Sequence, residues 1–237
     1  MEHLWLALLY GSFAGLMIPL GGLVARVERI QPRWLELEFR HSVIAFGGGI
    51  LVAAVALVLV PEGMEVLPAW AAIAAFLAGA LIFARIERAQ RAHGGAHAQF
   101  LAMMTDFVPE AIALGAMLSA GAPEAGLLAL MIGLQNLPEG FNAWREMGAD
   151  GRVGRSRTMT LFLALAAVGP VAVLFGDLVL AGLPQVTGAI MMGAAGGILF
   201  LMFQDIAVEA HLENRQTPSL AAIGGFGVGL LAQALLG

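Results

Sequence analysis

The chain has 237 residues, 59% of them hydrophobic and only 12% charged, with a mean hydropathy of +0.85 and a net charge of −5. A soluble domain of this length carries about twice that charged fraction, so composition excludes an ordinary soluble fold and points to a polytopic membrane protein, in which what matters is which charges lie within the bilayer. The absence of Cys excludes disulfides and any thiolate metal site. The opening Met1-Glu-His-Leu-Trp lacks the basic region of a cleaved signal peptide, so the first apolar run is expected to be a true span.

A helical span needs roughly 20 apolar residues, and eight segments qualify, at about 4–25, 41–61, 67–86, 99–120, 123–144, 159–182, 186–209 and 219–236. Little chain remains between them. The expectation is an all-α membrane protein with eight transmembrane helices, residues 1–237 forming a single polytopic membrane domain.

There is no Lys, so the twelve cationic residues are all Arg. Arg26, Arg29, Arg33 and Arg40 fall between spans one and two, and Arg85, Arg88 and Arg91 between three and four. Arg145, Arg152, Arg155 and Arg157 fall between five and six, and Arg215 between seven and eight. The alternate connections contain none, so every arginine lies on one side, which the positive-inside rule makes cytoplasmic. Both termini are then extracytoplasmic.

Gly48-Gly49-Ile50-Leu51 in span two, which ends at Pro61-Glu62, resembles Gly196-Gly197-Ile198-Leu199 in span seven, which ends in Asp205 and Glu209. The two spans run in opposite senses, which suggests an inverted repeat of the kind secondary transporters use.

Chemistry concentrates in spans four and five. Asp106-Phe-Val-Pro109-Glu110 and Gln135-Asn136-Leu-Pro138-Glu139-Gly140 each set a Pro-Glu pair deep in an apolar run, with a polar residue four positions before the Glu. Residues four apart share a helix face, so Asp106 projects with Glu110 and Gln135 with Glu139. Antiparallel spans joined by a short turn near Gly121-Ala-Pro123 bring the two sets to similar depth. Each proline removes a backbone donor and clashes with the carbonyl four residues earlier, at Thr105 and Leu134, which predicts broken helices there. Three carboxylates in a low-dielectric site need a cation or protons to neutralise them, and oxygen ligands of this kind suit hard or borderline divalent ions.

The two motifs resemble the signature of the ZIP family of divalent metal transporters, as a diverged prokaryotic member would carry it. That family has His-Asn-x-Pro-Glu-Gly on its fourth span and His/Gln-Asn/Asp-x-Pro-Glu-Gly on its fifth, in an eight-span bundle with both termini outside. The fifth-span motif is intact here. In the fourth, Asp106 stands in place of the His, Phe107 in place of the Asn and Ala111 in place of the Gly. The resemblance implies a main transport site of Asp106, Glu110, Gln135 and Glu139, with Asn136, Gln204, Asp205 and Glu209 as a secondary or release set. A second adjacent metal position is not expected, because its fourth- and sixth-span ligands are replaced by Phe107 and Gly169. For Asp205 and Glu209, a release role and a hydrogen-bonded pair at the inner end both stand open.

What the resemblance implies is an importer, not an enzyme. It carries Zn²⁺, or Mn²⁺, Fe²⁺ or Cd²⁺, as substrate, uses no organic cofactor and no nucleic acid, and lies among lipids in the bacterial inner membrane. Oligomeric state is left open, a homodimer included. Glu62 and Glu65 are expected to be solvated at the outer mouth, Asp177 to lie near the outer end of span six, and His93 and His97 to sit in a plain soluble loop. Met103, Met104, Met191 and Met192 are expected to pack the bundle. Two rivals remain: a proton- or small-solute-coupled transporter using the same acids, and an intramembrane metal-dependent hydrolase. The hydrolase lacks histidines where it needs them, since His3, His41, His93, His97 and His211 all sit at span ends or in loops. No GxxxxGK[ST] loop is present for ATP.

Overall fold

The computed structural model of the protein describes residues 2–28, 33–93, 96–149 and 154–236, apart from the side chains of Glu2, 91–102 and 148–149. Arg29 and Arg152 lie outside the described residues, as do the side chains of Arg91, His93 and His97. In chain order the helices are α1 (Glu2–Val27), α2 (Arg33–Ala54), α3 (Val60–Val66), α4 (Ala69–His93) and α5 (Ala96–Ala120). They continue with α6 (Ala125–Ala149), α7 (Arg155–Val179), α8 (Pro184–Leu201), α9 (Ala207–Ala210) and α10 (Thr217–Leu236). A π-helical turn, Val55–Leu59, joins α2 to α3, and another, Met202–Ile206, joins α8 to α9. Among the described residues the ten helices therefore form eight continuous rods.

Among the described residues, six rods are long and apolar enough to cross a membrane: His3–Val27, Arg33–Val66, Ala69–Gln90, Arg155–Val179, Pro184–Ala210 and Thr217–Leu236. The chain is a multi-pass membrane protein. The other two rods, α5 and α6, are 25 residues long each and match the rest in length. Each carries a polar motif at its middle. The distribution of side chains agrees, being apolar outside and polar inside. Trp70, Ile73, Leu77 and Leu81 of α4 and Leu220, Ile223, Leu231 and Leu235 of α10 are exposed, whereas Glu110, Gln135 and Asn136 are fully buried.

Lipid tails are as apolar as leucine, so rods in a membrane associate by close packing at small residues. Gly21 of α1 meets Leu137 and Phe141 of α6, and Gly140 of α6 meets Ile18 of α1. The same reciprocal crossing joins α7 to α5, where Gly176 meets Ile112 and Ala116 while Gly115 meets Val173 and Asp177. Both pairs run parallel. Along the α1–α7 seam, Gly11 meets Gly169 and Pro170, Gly15 meets Ala166 and Gly22 meets Phe162, so these two rods are antiparallel. It follows that α5 and α6 are antiparallel as well.

Two arms flank this bundle of α1, α5, α6 and α7. In one, α2 runs parallel to α10, with Gly49 against Ala222 and Phe226 and Gly225 against Phe46 and Ile50. In the other, α4 runs parallel to α8, with Gly79 against Gly193 and Gly196 against Phe76. The first arm leans on α6, where Gly47 touches Pro138, and the second on α5. Exchanging α1 with α7, α2 with α8, α4 with α10 and α5 with α6 leaves this packing pattern unchanged. The repeat suggested by the two Gly-Gly-Ile-Leu strings thus extends to the whole bundle, and each string is followed by a π-helical turn.

The arginine-bearing connections gather at one end. Arg145 of α6 bonds both Glu28, just past α1, and Glu36 of α2. Arg215 lies 3.8 Å from Glu38 and stacks over Trp34 of α2, and Thr217 also bonds Glu38. These partners explain why the second rod begins at Arg33, well before the apolar run: its first turns are polar and held by ion pairs. At the opposite end, Gly121 and Gly182 take φ values of 70° and 76°, the left-handed conformation that ends a helix at a tight turn.

A methyl group on Gly140 would meet the Ile18 carbonyl oxygen at 2.2 Å, whereas one on Gly224 would meet nothing within 4 Å. Gly140→Val is therefore expected to destabilise the protein in detergent by about 1–3 kcal/mol, with Gly224→Ala within about 0.5 kcal/mol of wild type. Thermal unfolding of the purified variants checks both.

Candidate metal site

The bundle's polar centre is built by α5 and α6. Neither helix breaks at its proline: α5 runs through Pro109 and α6 through Pro138 without interruption, contrary to the break expected from sequence. On α6, Pro138 packs closely against Gly47 of α2. Each proline still withholds one backbone donor.

Antiparallel pairing sets Glu110 opposite Gln135 and Asp106 opposite Glu139. In the first rung the Gln135 amide (Nε2) donates to Glu110 Oε2 at 2.6 Å, with both residues fully buried. The second rung sets acid against acid, and the Glu139 carboxylate lies within electrostatic reach of both Asp106 and Glu110. Asp205, carried by the π-helical turn of the α8 arm, approaches Asp106 from the side. All four residues assigned to the main site thus converge on one interior region.

Hydrogen bonding leaves oxygen atoms over. Asp106 Oδ1, Glu110 Oε1, Gln135 Oε1, Asn136 Oδ1 and Glu139 Oε1 are all buried with no hydrogen-bond partner among the described residues. Buried polar atoms ordinarily find partners. Five acceptors without donors, in one stretch of two adjacent helices, match the needs of a cation. Among the described residues no group of three or more His, Cys, Asp or Glu side chains is arranged to hold a metal ion. Ligation there would draw on the Gln135 amide oxygen as well as the acids.

Asn136 has a second task. Its amide (Nδ2) donates to the Ala14 carbonyl of α1 at 2.8 Å, fastening α6 to α1. Phe107, 1% exposed, lies with its ring tip beside Gly169 of α7, filling the space next to the acids with an aromatic edge.

The remaining candidates separate. Gln204 is exposed and lines a cavity of about 280 Å³ with Ala84, Glu87, Arg88 and Phe200, between α4 and the α8 rod. Glu209 faces α6 instead, where the Asn142 amide donates to Glu209 Oε1 at 3.2 Å and to Glu146 Oε1 at 2.6 Å. Glu146 also bonds Glu209, and Arg40 lies within electrostatic reach. Gln204 and Glu209 thus engage different neighbours. Sequence reasoning missed Asn142 and Glu146, although Glu139, Asn142 and Glu146 recur at the spacing of one helix face.

At the arginine-free end, Glu62 is not simply solvated. It is half-buried and bonds Glu124, beside the start of α6, while Glu65 is exposed nearby. Asp177 is buried at the end of α7, beside Gly115. Met103, Met191 and Met192 pack in the interior.

No protein-family model matches this sequence, and comparison with curated proteins finds no match. The site's chemistry is the ground on which its function is argued.

Because Asn136 joins two bundle helices, Asn136→Leu is expected to lower stability by about 0.6–1.7 kcal/mol, the range for interhelical hydrogen bonds in membranes. A denaturation midpoint equal to wild type in detergent would show that this bond contributes nothing.

Proposed function

We propose that the protein is a ZIP-like secondary transporter that carries divalent metal ions across the membrane into the cytoplasm. The observation that carries this reading is the set of five buried, donor-less oxygens on α5 and α6. Acids in a bilayer interior are costly and mark pathways, and acceptors without donors call for a positive guest. An all-oxygen set suits Mn²⁺ or Fe²⁺ as well as Zn²⁺.

Support for the eight-span topology comes from the alternating directions of the rods. In this reading α5 and α6 cross the membrane shielded by the other six, which is why they can carry acids and amides at their middles. The arginine-bearing end is cytoplasmic and both termini are outside. The ion enters from the outer face, loses water to Asp106, Glu110, Gln135 and Glu139, and leaves towards Asp205 and the cytoplasmic end. The gradient of the ion or of protons supplies the energy.

Metal uptake into proteoliposomes is expected for wild type, with Glu110→Ala and Glu139→Ala each lowering it at least as far as the about 10–100-fold that losing a partner behind a metal ligand costs. Equal uptake by all three proteins would remove the metal reading and leave the acids to proton or solute traffic. In competition among Zn²⁺, Mn²⁺, Fe²⁺, Cd²⁺ and Mg²⁺, Asp106→His is expected to shift preference towards Zn²⁺, because imidazole is the softer ligand.

A further inference from the structure

The two arms share more than their glycines. In each, a π-helical turn follows the Gly-Gly-Ile-Leu string, and three residues past its end stands a glutamate, Glu62 in one arm and Glu209 in the other. Both bond a glutamate at an end of the same partner, the site helix α6. Glu62 bonds Glu124, immediately before the first residue of α6. Glu209 bonds Glu146 in the last turns of α6, with Asn142 donating to both carboxylates. The helix that carries Gln135 and Glu139 is therefore held at its outer end by one arm and at its inner end by the other.

We infer that Glu62 and Glu209 are matched gate residues that clamp the two ends of α6, so that releasing one clamp opens the pathway on that side while the other keeps its side closed. The inference rests on the transporter reading and adds to it the residues that decide which side is open. Three features fit such a role. The clamps lie at opposite ends of one rod, so α6 can tilt about its middle, where the site is. Both are made of polar side chains rather than interdigitated apolar ones, so they part without opening a cavity in the core. Each follows a π-helical turn, whose loosened backbone bonding gives the arm a place to flex.

The charged groups facing each clamp differ. The outer one has Glu62, Glu124 and Glu65. The inner one has Glu146 and Glu209, with Arg40 close by and the neutral Asn142 between them. A bond between two carboxyl groups needs a donor, and an amide in place of one carboxyl supplies it permanently. Glu62→Gln should therefore keep the outer clamp shut.

The absence of native cysteine lets spin labels be placed without background. Labels at Pro123→Cys and Ala69→Cys report the outer end, and labels at Arg155→Cys and Glu213→Cys the inner end. Pulsed electron-spin distance measurements on the full chain in liposomes should show Glu62→Ala lengthening and broadening only the outer distance. Asn142→Ala should do the same only to the inner one, and Glu62→Gln should match wild type at both ends. Unchanged distances in both alanine variants, or both ends moving together in either, would overturn the inference. If an alanine variant does not fold, Glu62→Asp and Glu209→Asp, each one methylene shorter, carry the same expectation for their own ends. Metal uptake is read separately: end-specific shifts in a protein that takes up no metal uphold the clamps, and uptake with unmoved distances overturns them.

Discussion

Carboxylates buried in a membrane-embedded bundle set the terms for everything around them. Hydrocarbon offers them no water, and an unpaired charge there costs several kcal/mol at least. The protein answers by placing Asp106, Glu110 and Glu139 on two central rods and wrapping those rods in apolar ones. Among the described residues, the Gln135 amide on Glu110 is the one hydrogen bond between the two motifs. The rest of the oxygen set is left with acceptor capacity and no donor.

Glycine makes the enclosure possible. Backbone-to-backbone approach at Gly21, Gly140, Gly115 and Gly176 lets four rods close tightly around a polar centre without bulky side chains intruding. The near-identity of the α1–α6 and α7–α5 crossings shows that one packing solution has been used twice. The arms repeat it as well, down to the π-helical turns. Where the two halves differ is informative. The second arm brings Gln204, Asp205 and Glu209 near its turn, while the corresponding stretch of the first is apolar as far as Glu62. Polar character is thus weighted towards the arginine-bearing end.

Much of this was legible in the sequence. The membrane class followed from composition, and the positions of the rods followed from runs of apolar residues. The convergence of Asp106, Glu110, Gln135 and Glu139 followed from helical spacing plus antiparallel pairing. Rod lengths were less readable, because hydropathy locates lipid and not helix ends: the second rod starts at polar Arg33, where ion pairs rather than hydrocarbon hold it. The predicted breaks at Pro109 and Pro138 did not occur, since tertiary packing overrode a local preference. Asn142 and Glu146 escaped notice because their meaning depends on Glu209, distant in sequence and close only after folding. Glu62 was taken for a solvated residue for the same reason, its partner Glu124 lying two rods away.

The cationic end is made wholly of guanidinium groups, with Arg145 tying α6 to α2 and to the end of α1, and Arg215 tying α10 to α2. Guanidinium keeps its proton across all physiological conditions and binds carboxylate and phosphate in a fixed planar fork. An ammonium group surrenders its charge far more readily. That face of the molecule therefore keeps its positive charge when the surroundings turn alkaline, and the ties from Arg145 and Arg215 to Glu28, Glu36 and Glu38 persist with it.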